Sequence, residues 1–320
     1  MRAITYTQYG PPSVLKLTEI DKPVPADNEA LVKIKATAVN TGDLRLRAAN
    51  PFLVRLMYGL FKPKTQVLGS VFAGVVEQIG SVVTRYKVGD EIFGLSNTFT
   101  KCYAEYVTIP ESGYNALKPR NTSFEEAASI PFGAHTALDF LKKANIKPGQ
   151  SILIYGASGS VGVAAIMLAK YYQAHVTAVC STGNLLLVKS LGADEVIDYT
   201  KTNLSDIVGR YDVIFETVGK TKTEEIIKLA KSTGIVILSG IMPADMLHAV
   251  YVSRKNKIKL LIGEVKVTAA DMEFIKERVE KGDLKPVIDK IYPLEKMVEA
   301  HEYADKGHKK GNVAISITGV

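Results

Sequence analysis

The sequence predicts an α/β protein in which a β-rich domain is joined to a doubly wound parallel sheet. Between Ser151 and Gly263, short apolar runs alternate with helical stretches, which is typical of a parallel sheet covered by helices on both faces. The first 122 residues instead alternate apolar and polar positions between turn-forming residues. The length of 320 residues is that expected of two domains.

Six candidate strands follow one another in the second region, the number found in a complete doubly wound domain. Helical stretches separate most of them, for example Val161–Tyr172 and Thr223–Lys231. The candidate strands are Ser151–Tyr155, His175–Val179, Glu195–Asp198, Asp212–Glu216, Gly234–Leu238 and Ile258–Ile262.

The β-rich region contains two long alternating runs, Ala30–Val39 and Phe72–Ile79. A helix over Ser123–Ala144 is predicted next, because Ser123 and Glu126 have the spacing of a capping box. After Gly263 the pattern predicts, in order, the helix Thr268–Lys281, the strand Val287–Tyr292, the helix Leu294–Lys306 and the strand Val313–Thr318. We expect this tail to return to the first domain, which gives residues 1–122, 123–263 and 264–320 as the divisions.

The composition argues against a membrane protein and against a nucleic-acid-binding protein. Apolar residues make up 47% and charged residues 23%, and no apolar run reaches the roughly 18 residues of a membrane span. The N-terminus lacks a signal-peptide pattern, so we expect a cytoplasmic protein. Cys102 and Cys180 belong to no metal-binding cluster. The net charge of +7 is spread along the chain, which favours a small anionic ligand over nucleic acid.

A glycine-rich turn is the strongest local signal. The apolar run Ser151–Tyr155 leads into Gly156-Ala157-Ser158-Gly159-Ser160-Val161-Gly162 and then into a helix. Glycine at 159 lets a pyrophosphate approach the backbone, and glycine at 162 lets the helix pack closely on its strand. The strand–turn–helix context predicts a dinucleotide site with its phosphates at the helix N-terminus.

The end of the second strand selects the cofactor. An NAD site usually has an acid about 20 residues after the glycines, whereas this stretch reads Val179-Cys180-Ser181-Thr182-Gly183-Asn184. Hydroxyl and amide groups can donate to a 2′-phosphate, and Lys189 is a possible charged partner. The segment therefore predicts NADPH; the alternative is a polar turn without a ligand.

These residues resemble the zinc-independent, quinone oxidoreductase-like family of medium-chain dehydrogenases/reductases over essentially the whole chain. The resemblance implies a GroES-like catalytic domain, a Rossmann cofactor domain, a cleft between them and a homodimer. The matching segments are the N-terminal Met1–Leu15, then Ala38–Arg45, Val88–Gly94, Ala104–Pro110, Gly156–Gly162, Cys180–Asn184, Leu191–Tyr199 and Gly307–Ile315.

The resemblance also assigns the cofactor contacts by position. Thr136 is expected at the nicotinamide, and the glycine-rich turn at the pyrophosphate. The adenosine ribose and its phosphate are expected at Ser181, Asn184 and Tyr199. Val218, Ser239 and Gly240 are expected to border the nicotinamide and its ribose.

The chain departs from the family pattern at three positions. Val71 stands where the family often has Asp, Arg45 where several relatives have Tyr, and Asn312 where Lys is common. In zinc-using relatives, the positions of Asn40 and Ser70 hold metal ligands. Catalytic zinc requires three protein ligands, and these residues do not supply them. We therefore expect no metal.

The catalytic candidates are Asn40, Asp43 and Tyr58. Asn40 either bonds the substrate carbonyl or stabilises a turn, Asp43 is catalytic or structural, and Tyr58 is a candidate proton donor. The apolar positions of Pro51–Lys62 have helical spacing, so this segment either covers the site with an apolar face or packs on its own domain. Arg45 and Arg47 either bind an anionic substrate or face solvent.

Two functions compete. The first is an enzyme that transfers a hydride from NADPH to a small hydrophobic quinone or α,β-unsaturated carbonyl, with no nucleic-acid or membrane partner. The second is a non-catalytic, NADPH-binding structural or RNA-associated relative of the same family. The fold alone does not separate them; the asparagine, the threonine and the glycine-rich turn favour the enzyme.

Overall fold

A computed structural model of the chain describes residues 1–317. The chain divides into two compact units. The first, the β-rich unit, comprises Met1–Phe132, Val267–Gly282 and the residues from Pro286 onward. The second, the parallel-sheet unit, comprises Gly133–Lys266 and Asp283–Lys285. The chain therefore leaves the first unit, builds the second and returns.

Within residues 1–317, the β-rich unit contains two sheets. Its strands are β1 (Arg2–Thr5), β2 (Lys16–Glu19), β3 (Glu29–Val39), β4 (Val71–Ile79), β5 (Glu91–Leu95), β6 (Tyr106–Pro110), β7 (Asn115–Leu117), β14 (Ile288–Pro293) and β15 (Asn312–Ser316). β1 and β2 form a small antiparallel sheet, and the other strands form a larger mixed sheet. The larger sheet has the order β14-β15-β3-β4-β5-β7, with β6 also paired to β3. Because β15 pairs antiparallel with β3, the C-terminal strand completes the first unit's sheet.

The described residues of the β-rich unit form five α-helices. They are α1 (Thr41–Ala48), α2 (Val54–Tyr58), α3 (Phe124–Ser129), α9 (Ala269–Glu280) and α10 (Met297–Asp305). The side chain of Thr268 caps α9, and the helix ends before Gly282, which has a φ of +79°. The sequence predicts the end at Gly282, whereas Thr268, predicted as the first helical residue, is the N-cap. The short α1 directly follows the central strand β3, which places its first residues at the end of the sheet.

The parallel-sheet unit is a doubly wound sheet. Its strands are β8 (Ser151–Tyr155), β9 (His175–Cys180), β10 (Glu195–Asp198), β11 (Tyr211–Glu216), β12 (Ala230–Leu238) and β13 (Lys259–Leu261). They are parallel and run in the order β10-β9-β8-β11-β12-β13. Numbered within the unit this order is 3-2-1-4-5-6, that of the Rossmann fold, so the predicted fold class is confirmed.

Helices cover this sheet. They are α4 (Pro131–Ala144, which begins at the end of the first unit), α5 (Ser160–Tyr171), α6 (Leu185–Ser190), α7 (Thr223–Ile226) and α8 (Pro243–Lys255). All eight residues from Gly162 to Ala169 are buried, because α5 packs against the sheet along its length. Across residues 1–317, no helix is both long and apolar enough to cross a membrane.

The prediction of one helix over Ser123–Ala144 is wrong. The predicted capping box at Ser123 and Glu126 is present, but α3 ends at Ser129 and α4 begins at Pro131. Proline has no backbone N–H to continue the helical ladder, and its ring clashes with the preceding turn. It is well accommodated at the start of a new helix.

Two other predicted boundaries differ from the structure. The predicted helix Thr223–Lys231 ends at Leu229 after a 3₁₀ turn, because Ala230 already pairs with Tyr211 of the neighbouring strand. Strand pairing there overrides helix propensity. The last strand ends at Ser316; Thr318, included in the predicted strand, lies outside the described residues.

Candidate active site

The glycine-rich turn joins β8 to α5 in the parallel-sheet unit. Gly156 has a φ of +79°, and a Cβ there would lie 2.3 Å from the side chain of Val218. The N–H groups of Gly156 and Ala157 both donate to the carbonyl of Val179, at 3.1 and 3.0 Å. The turn is therefore fastened to β9, and its path requires glycine at 156.

The two other glycines of the turn differ in what surrounds them. At Gly162 a Cβ would lie 2.3 Å from the carbonyl oxygen of Gly156, so the helix packs directly on the turn. At Gly159 a Cβ would meet only that same oxygen, at an ordinary 3.5 Å. The space over Gly159, the N-cap of α5, is therefore open. It fits a pyrophosphate accepting hydrogen bonds at the helix N-terminus, beside Ser160 and Val161.

Asn184 connects two serines at the ends of β8 and β9. Its Nδ2 lies 3.0 Å from Ser158 Oγ and 3.1 Å from Ser181 Oγ. An amide nitrogen only donates, so both serine oxygens accept and each hydroxyl keeps its proton for another partner. Asn184 is buried, and its Oδ1 has no hydrogen-bond partner within residues 1–317. The cluster thus presents two hydroxyl donors and one acceptor, which fits a phosphorylated ribose.

The neighbouring polar groups are already engaged. The hydroxyl of Thr182 contacts Asp198 and Thr200. Hydrogen bonds that Thr182 and Thr200 donate to the exposed Asp198 carboxyl lower its pKa. Lys189 donates to the main-chain carbonyl of Asp194 at 2.7 Å. This contact uses one of the three donors of the ammonium, and the role of Lys189 as a charged partner of a 2′-phosphate stays a prediction.

Tyr199 lies at the end of β10, where the adenosine was predicted. Its N–H donates to the carbonyl of Cys180 at 3.1 Å, which fixes the backbone. Its ring is 45% exposed and lies 6.3 Å from the ring of Tyr155. This leaves an aromatic surface beside the strand ends, and the adenosine contact stays a prediction.

A buried carboxylate orders the loop that was predicted to border the nicotinamide. Glu216 is 1% exposed, and it accepts hydrogen bonds from the N–H groups of Val218 and Gly219 at 2.8 to 3.0 Å. Burial raises its pKa, which the backbone donors partly offset. Ser239 donates to the Glu216 carbonyl at 3.2 Å. A Cβ at Gly240 would lie 2.6 Å from Gly219 N, so the two loops require glycine where they meet.

Thr136 and the neighbouring His135 lie on α4 and are buried. Both make interactions within the protein. Their predicted place near the nicotinamide stays a prediction.

In the β-rich unit, Asn40 and Ser70 meet at the ends of β3 and β4. Asn40 is 2% exposed and Ser70 is 4% exposed. Asn40 Nδ2 lies 3.2 Å from Ser70 Oγ and 3.5 Å from the carbonyl oxygen of Ala38. The carbonyl is an acceptor, so the nitrogen end of the amide is the end that faces both atoms. The predicted catalytic Asn40 therefore already uses its side-chain donors within the protein.

Asp43 lies directly behind this pair and is completely buried. Its Oδ2 accepts the N–H of Asn40 at 2.9 Å. Burial raises the pKa of Asp43 to about 7, against the lowering effect of the Asn40 N–H, the Tyr103 hydroxyl and the Gly69 N–H. Oδ1 makes no hydrogen bond of ordinary geometry in the described chain, so the last two contacts are loose. With no exposed surface, Asp43 acts through its neighbours.

A chain of buried polar side chains continues from Asp43. Arg47 contacts His301 Nδ1 at 2.9 Å and Asp305 at 2.8 Å, and His301 Nε2 lies 3.1 Å from the Tyr103 hydroxyl. Because a guanidinium only donates, Nδ1 accepts and Nε2 carries the proton. Burial and the Arg47 charge lower the pKa of His301 to about 3. Arg47 is 3% exposed, so the interpretation in which it faces solvent is wrong, while substrate binding by Arg47 stays a prediction.

The segment Pro51–Lys62 is helical only over α2, which ends before Gly59 with its φ of +124°. Tyr58 and Val54 pack against the core of the unit, and no residue in the described chain hydrogen-bonds to the Tyr58 hydroxyl. Six apolar side chains of this segment are exposed: Phe52, Leu53, Leu56, Met57, Leu60 and Phe61. The alternative in which this apolar face packs on its own unit is therefore wrong.

The residues present do not fit a zinc ion. An amide and a hydroxyl occupy the positions of Asn40 and Ser70, and neither is a usual zinc ligand. Within residues 1–317, no three His, Cys, Asp or Glu side chains form a cluster that suits a metal. Burial raises the pKa of the Cys102 thiol well above its usual range and that of Cys180 to about 11, so neither thiol is poised as a nucleophile.

Sequence reasoning missed the part played by several of these residues. Ser70 was noted only as a replaced metal ligand, and Tyr103 and His301 were not singled out. The position of Ser70, aligned with a ligand of zinc-using relatives, was the one signal that could have identified it. Asn312, which stands where the family pattern has Lys, directs its amide to the carbonyl of Val287 at 3.1 Å.

Two family models match the chain. Residues 26–119 match an alcohol dehydrogenase GroES-like domain, and residues 191–315 match a zinc-binding dehydrogenase domain. The first lies within the β-rich unit, and the second begins within the parallel-sheet unit.

Full-length relatives and a solved structure agree with these matches. A 2-methylene-furan-3-one reductase of Solanum lycopersicum is 36% identical over 98% of this chain and 79% of its own length. A chloroplastic NADPH-dependent alkenal/one oxidoreductase of Arabidopsis thaliana is 33% identical with the same coverage. The structure of a quinone oxidoreductase from Coxiella burnetii superimposes with a TM-score of 0.91 at 29% identity, covering 99% of both chains.

Proposed function

The chain is an oxidoreductase that belongs to the quinone oxidoreductase-like family of medium-chain dehydrogenases/reductases, and from this premise we propose that it uses NADPH to reduce quinones or α,β-unsaturated carbonyls without zinc. The homodimer and the cytoplasmic location expected from the sequence stay predictions. The two free, buried cysteines suit a reducing compartment.

The observation that carries the cofactor proposal is the contact of Asn184 with Ser158 and Ser181. Since the amide nitrogen donates to both oxygens, each hydroxyl is left to donate, and a phosphate oxygen is an acceptor. An NAD site places an acid at the end of the second strand; here β9 ends at Cys180 and is followed by Ser181. Two neutral donors at a strand end that itself carries no acid support a 2′-phosphate; the nearby Asp198 belongs to β10 and accepts hydrogen bonds from Thr182 and Thr200.

NADPH, when bound, supplies the hydride for the reduction. The residues expected to hold it are the glycine-rich turn at Gly156–Gly162 and the cluster of Ser181, Asn184 and Tyr199. Thr136, Val218, Ser239 and Gly240 are expected at the nicotinamide end. Glu216 fixes the loop that contains Val218 through two backbone N–H groups, so it is a positioning residue for that end.

The catalytic part of the proposal concerns the substrate oxygen. When the β-carbon of an enone gains a hydride, negative charge develops on the carbonyl oxygen, and a buried hydrogen-bond donor stabilises it. The β-rich unit offers such a donor at the Asn40 and Ser70 pair. The resulting enolate takes its proton from water, so neither a metal nor a dedicated acid is required.

The exposed apolar side chains of the segment Pro51–Lys62 support the choice of a hydrophobic substrate. Phe61 is 88% exposed and Met57 is 75% exposed. Apolar surface of this kind gains free energy when it is covered by an apolar ligand. We therefore expect turnover to improve as the substrate grows more hydrophobic.

The cofactor proposal is tested by the dissociation constants of NADPH and NADH, measured by nucleotide fluorescence. We expect NADPH to bind at least about tenfold more tightly, the effect of one charge-assisted hydrogen bond. Ser181→Asp should remove or reverse this preference, because the new carboxylate repels the phosphate. Ser190→Asp, the same change at an exposed serine of α6, should not. Equal constants for the two nucleotides in the unaltered protein would contradict the proposal.

The reaction is tested by NADPH absorbance with a panel of quinones, enones and simple alcohols. We expect turnover of the first two classes, little oxidation of primary alcohols, and no effect of EDTA. Alcohol oxidation without enone or quinone turnover would refute the proposed reaction. No change in NADPH absorbance with any of these substrates would favour the non-catalytic alternative.

A further inference from the structure

Ser70 is a buried serine whose hydroxyl proton has no acceptor in the described part of the chain. Its Oγ lies 3.2 Å from Asn40 Nδ2, which can only donate. The serine oxygen is therefore the acceptor of that bond, and its own O–H is left over. A residue that is 4% exposed seldom keeps an unused donor, so this hydroxyl is suited to a ligand.

One carboxylate holds the backbone of Asn40 and lies close to the backbone that precedes Ser70. Asp43 Oδ2 accepts the N–H of Asn40 at 2.9 Å, and the N–H of Gly69, directly before Ser70, also acts on the Asp43 carboxyl. Gly69 has a φ of +95°, and a Cβ there would lie 2.5 Å from the Tyr103 ring. The Asn40 loop is thus anchored by Asp43, and the path of the loop that leads into Ser70 is fixed by the close packing of Gly69 on Tyr103.

Asn40 is less well suited to contact a ligand directly. One of its N–H groups faces Ser70 Oγ and the other faces the carbonyl of Ala38 at 3.5 Å. To donate to a substrate, Asn40 would have to give up one of these contacts, whereas the Ser70 hydroxyl is ready to donate as it stands.

We infer that Ser70 is the hydrogen-bond donor to the substrate's carbonyl oxygen, and that Asn40 is a positioning residue that orients the Ser70 hydroxyl. The inference rests on the proposed reduction of enones and quinones. In that reaction the β-carbon gains the hydride, the C=C electron pair shifts toward the carbonyl, and the oxygen becomes negative. Ser70 stabilises this charge and keeps its proton, and water then protonates the α-carbon to give the saturated ketone.

The main test compares Ser70→Ala with Ser129→Ala, a matched control. Ser129 is 1% exposed, lies in the same unit and donates its hydroxyl to the carbonyl of Glu126 at 2.7 Å. Ser70→Ala should lower kcat for an enone by about tenfold to a thousandfold, the range for loss of one oxyanion donor. The NADPH dissociation constant should stay within about twofold, and Ser129→Ala should retain kcat.

Asn40→Asp tests the positioning role. The new carboxylate would accept the Ser70 proton and withdraw it from the substrate, so this variant should match Ser70→Ala in kcat. The double variant should be no slower than either single one, because both changes remove the same bond. NADPH binding and the thermal midpoint report whether each variant folds.

A second measurement does not depend on turnover. In the presence of NADP⁺, 4-nitrophenolate carries a charged oxygen in place of the enolate oxygen, and its binding is followed by absorbance. Ser70→Ala should weaken its binding by about tenfold or more. This readout decides the donor role even where the Asn40 variant does not fold.

The outcomes separate the two proposals. If the unaltered protein reduces enones and Ser70→Ala matches it in both kcat and 4-nitrophenolate binding, Ser70 is not the donor, while the proposed reaction stands. Loss of activity on Tyr58→Phe alone would then assign the donor to Tyr58. If no substrate is reduced but 4-nitrophenolate binds in a Ser70-dependent way, the donor role stands and the proposed reaction fails.

Discussion

Each of the two units contains an asparagine that donates a hydrogen bond to serine, but the surroundings of the two sites differ. In the parallel-sheet unit, Asn184 donates to the half-buried Ser158 and Ser181. In the β-rich unit, Asn40 donates to Ser70, and both residues are almost completely buried. In each case an amide nitrogen, which can only donate, leaves a serine hydroxyl to donate outward. A phosphate carries its charge permanently and can be held near water, whereas an oxyanion that exists only in the transition state is stabilised most where water is excluded.

The regions also differ in what supports them. The Asn184 cluster consists of neutral groups. The Asn40 pair is supported by the ionisable Asp43 and His301, whose pKa values burial shifts to about 7 and about 3. Both shifts mean that the charged form is disfavoured in the folded chain. We therefore expect the substrate region, but not the cofactor region, to influence stability in a pH-dependent way.

The largest effect should appear in stability against pH. Between about pH 4 and 6.5, folded Asp43 retains a proton that the unfolded chain has lost, so its contribution to the unfolding free energy falls as pH rises. Folded His301 lacks a proton that the unfolded chain binds, so its contribution rises with pH. The two oppose each other in the unaltered protein.

Replacing either Asp43 or His301 should reveal the pH dependence that the remaining residue contributes to the unfolding free energy. Relative to the unaltered protein, His301→Gln should lose about 1.4 kcal/mol of unfolding free energy per pH unit as pH rises, and Asp43→Asn should gain about as much. Across this window the difference amounts to roughly 3 kcal/mol, measured by urea unfolding. His308→Gln, at an exposed histidine of the same unit, is the control. Parallel curves for all the proteins would show that the buried pair does not titrate as described.

The second-largest effect is expected in the binding of NADPH by the Asn184 cluster. Asn184→Asp turns the donor into an acceptor, so both serine protons are drawn inward and a negative charge is added beside the phosphate. We expect the NADPH dissociation constant to rise about a hundredfold, or 2.7 kcal/mol, with a smaller rise for NADH. Fluorescence titration measures both.

Asn184→Asp also tests the difference between the two regions. Its unfolding free energy should change little, in contrast to that of the Asp43 and His301 variants. Asn145→Asp makes the same charge change at an exposed position of the same unit with a φ of +52°, a conformation that Asp tolerates. It should leave nucleotide binding as it was. An Asn184→Asp protein that binds NADPH normally would exclude the donor arrangement proposed for the serines.

The smallest effect is expected at the exposed apolar segment. Phe61→Ser should reduce kcat/KM about two- to fivefold for long-chain enones and leave short ones unaffected, because only part of one aromatic side chain would cover the substrate. The measurement is a series of enones of increasing chain length. Val24→Ser changes a similarly exposed residue, 83% against 88%, and serves as the control. Equal loss for all chain lengths would point to a structural role for Phe61.

Much of the fold could be predicted from the sequence because the relevant signals are local. The six strands of the parallel sheet were located to within a few residues, and the glycine-rich turn falls between β8 and α5 as expected. The single helix over Ser123–Ala144 failed because Pro131 interrupts the backbone ladder, although the apolar spacing continues past it.

By itself, the sequence determined the family, the doubly wound sheet and the phosphate-binding turn, since strand, turn and helix signals each extend over about ten neighbouring residues. Only the tertiary structure decided which polar groups donate and which accept. Ser70 lies 30 positions from Asn40, Ser158 lies 26 from Asn184, and His301 lies 254 from Arg47. The direction of a hydrogen bond depends on the atom that each group meets in space, and in this chain folding brings those atoms together from distant positions.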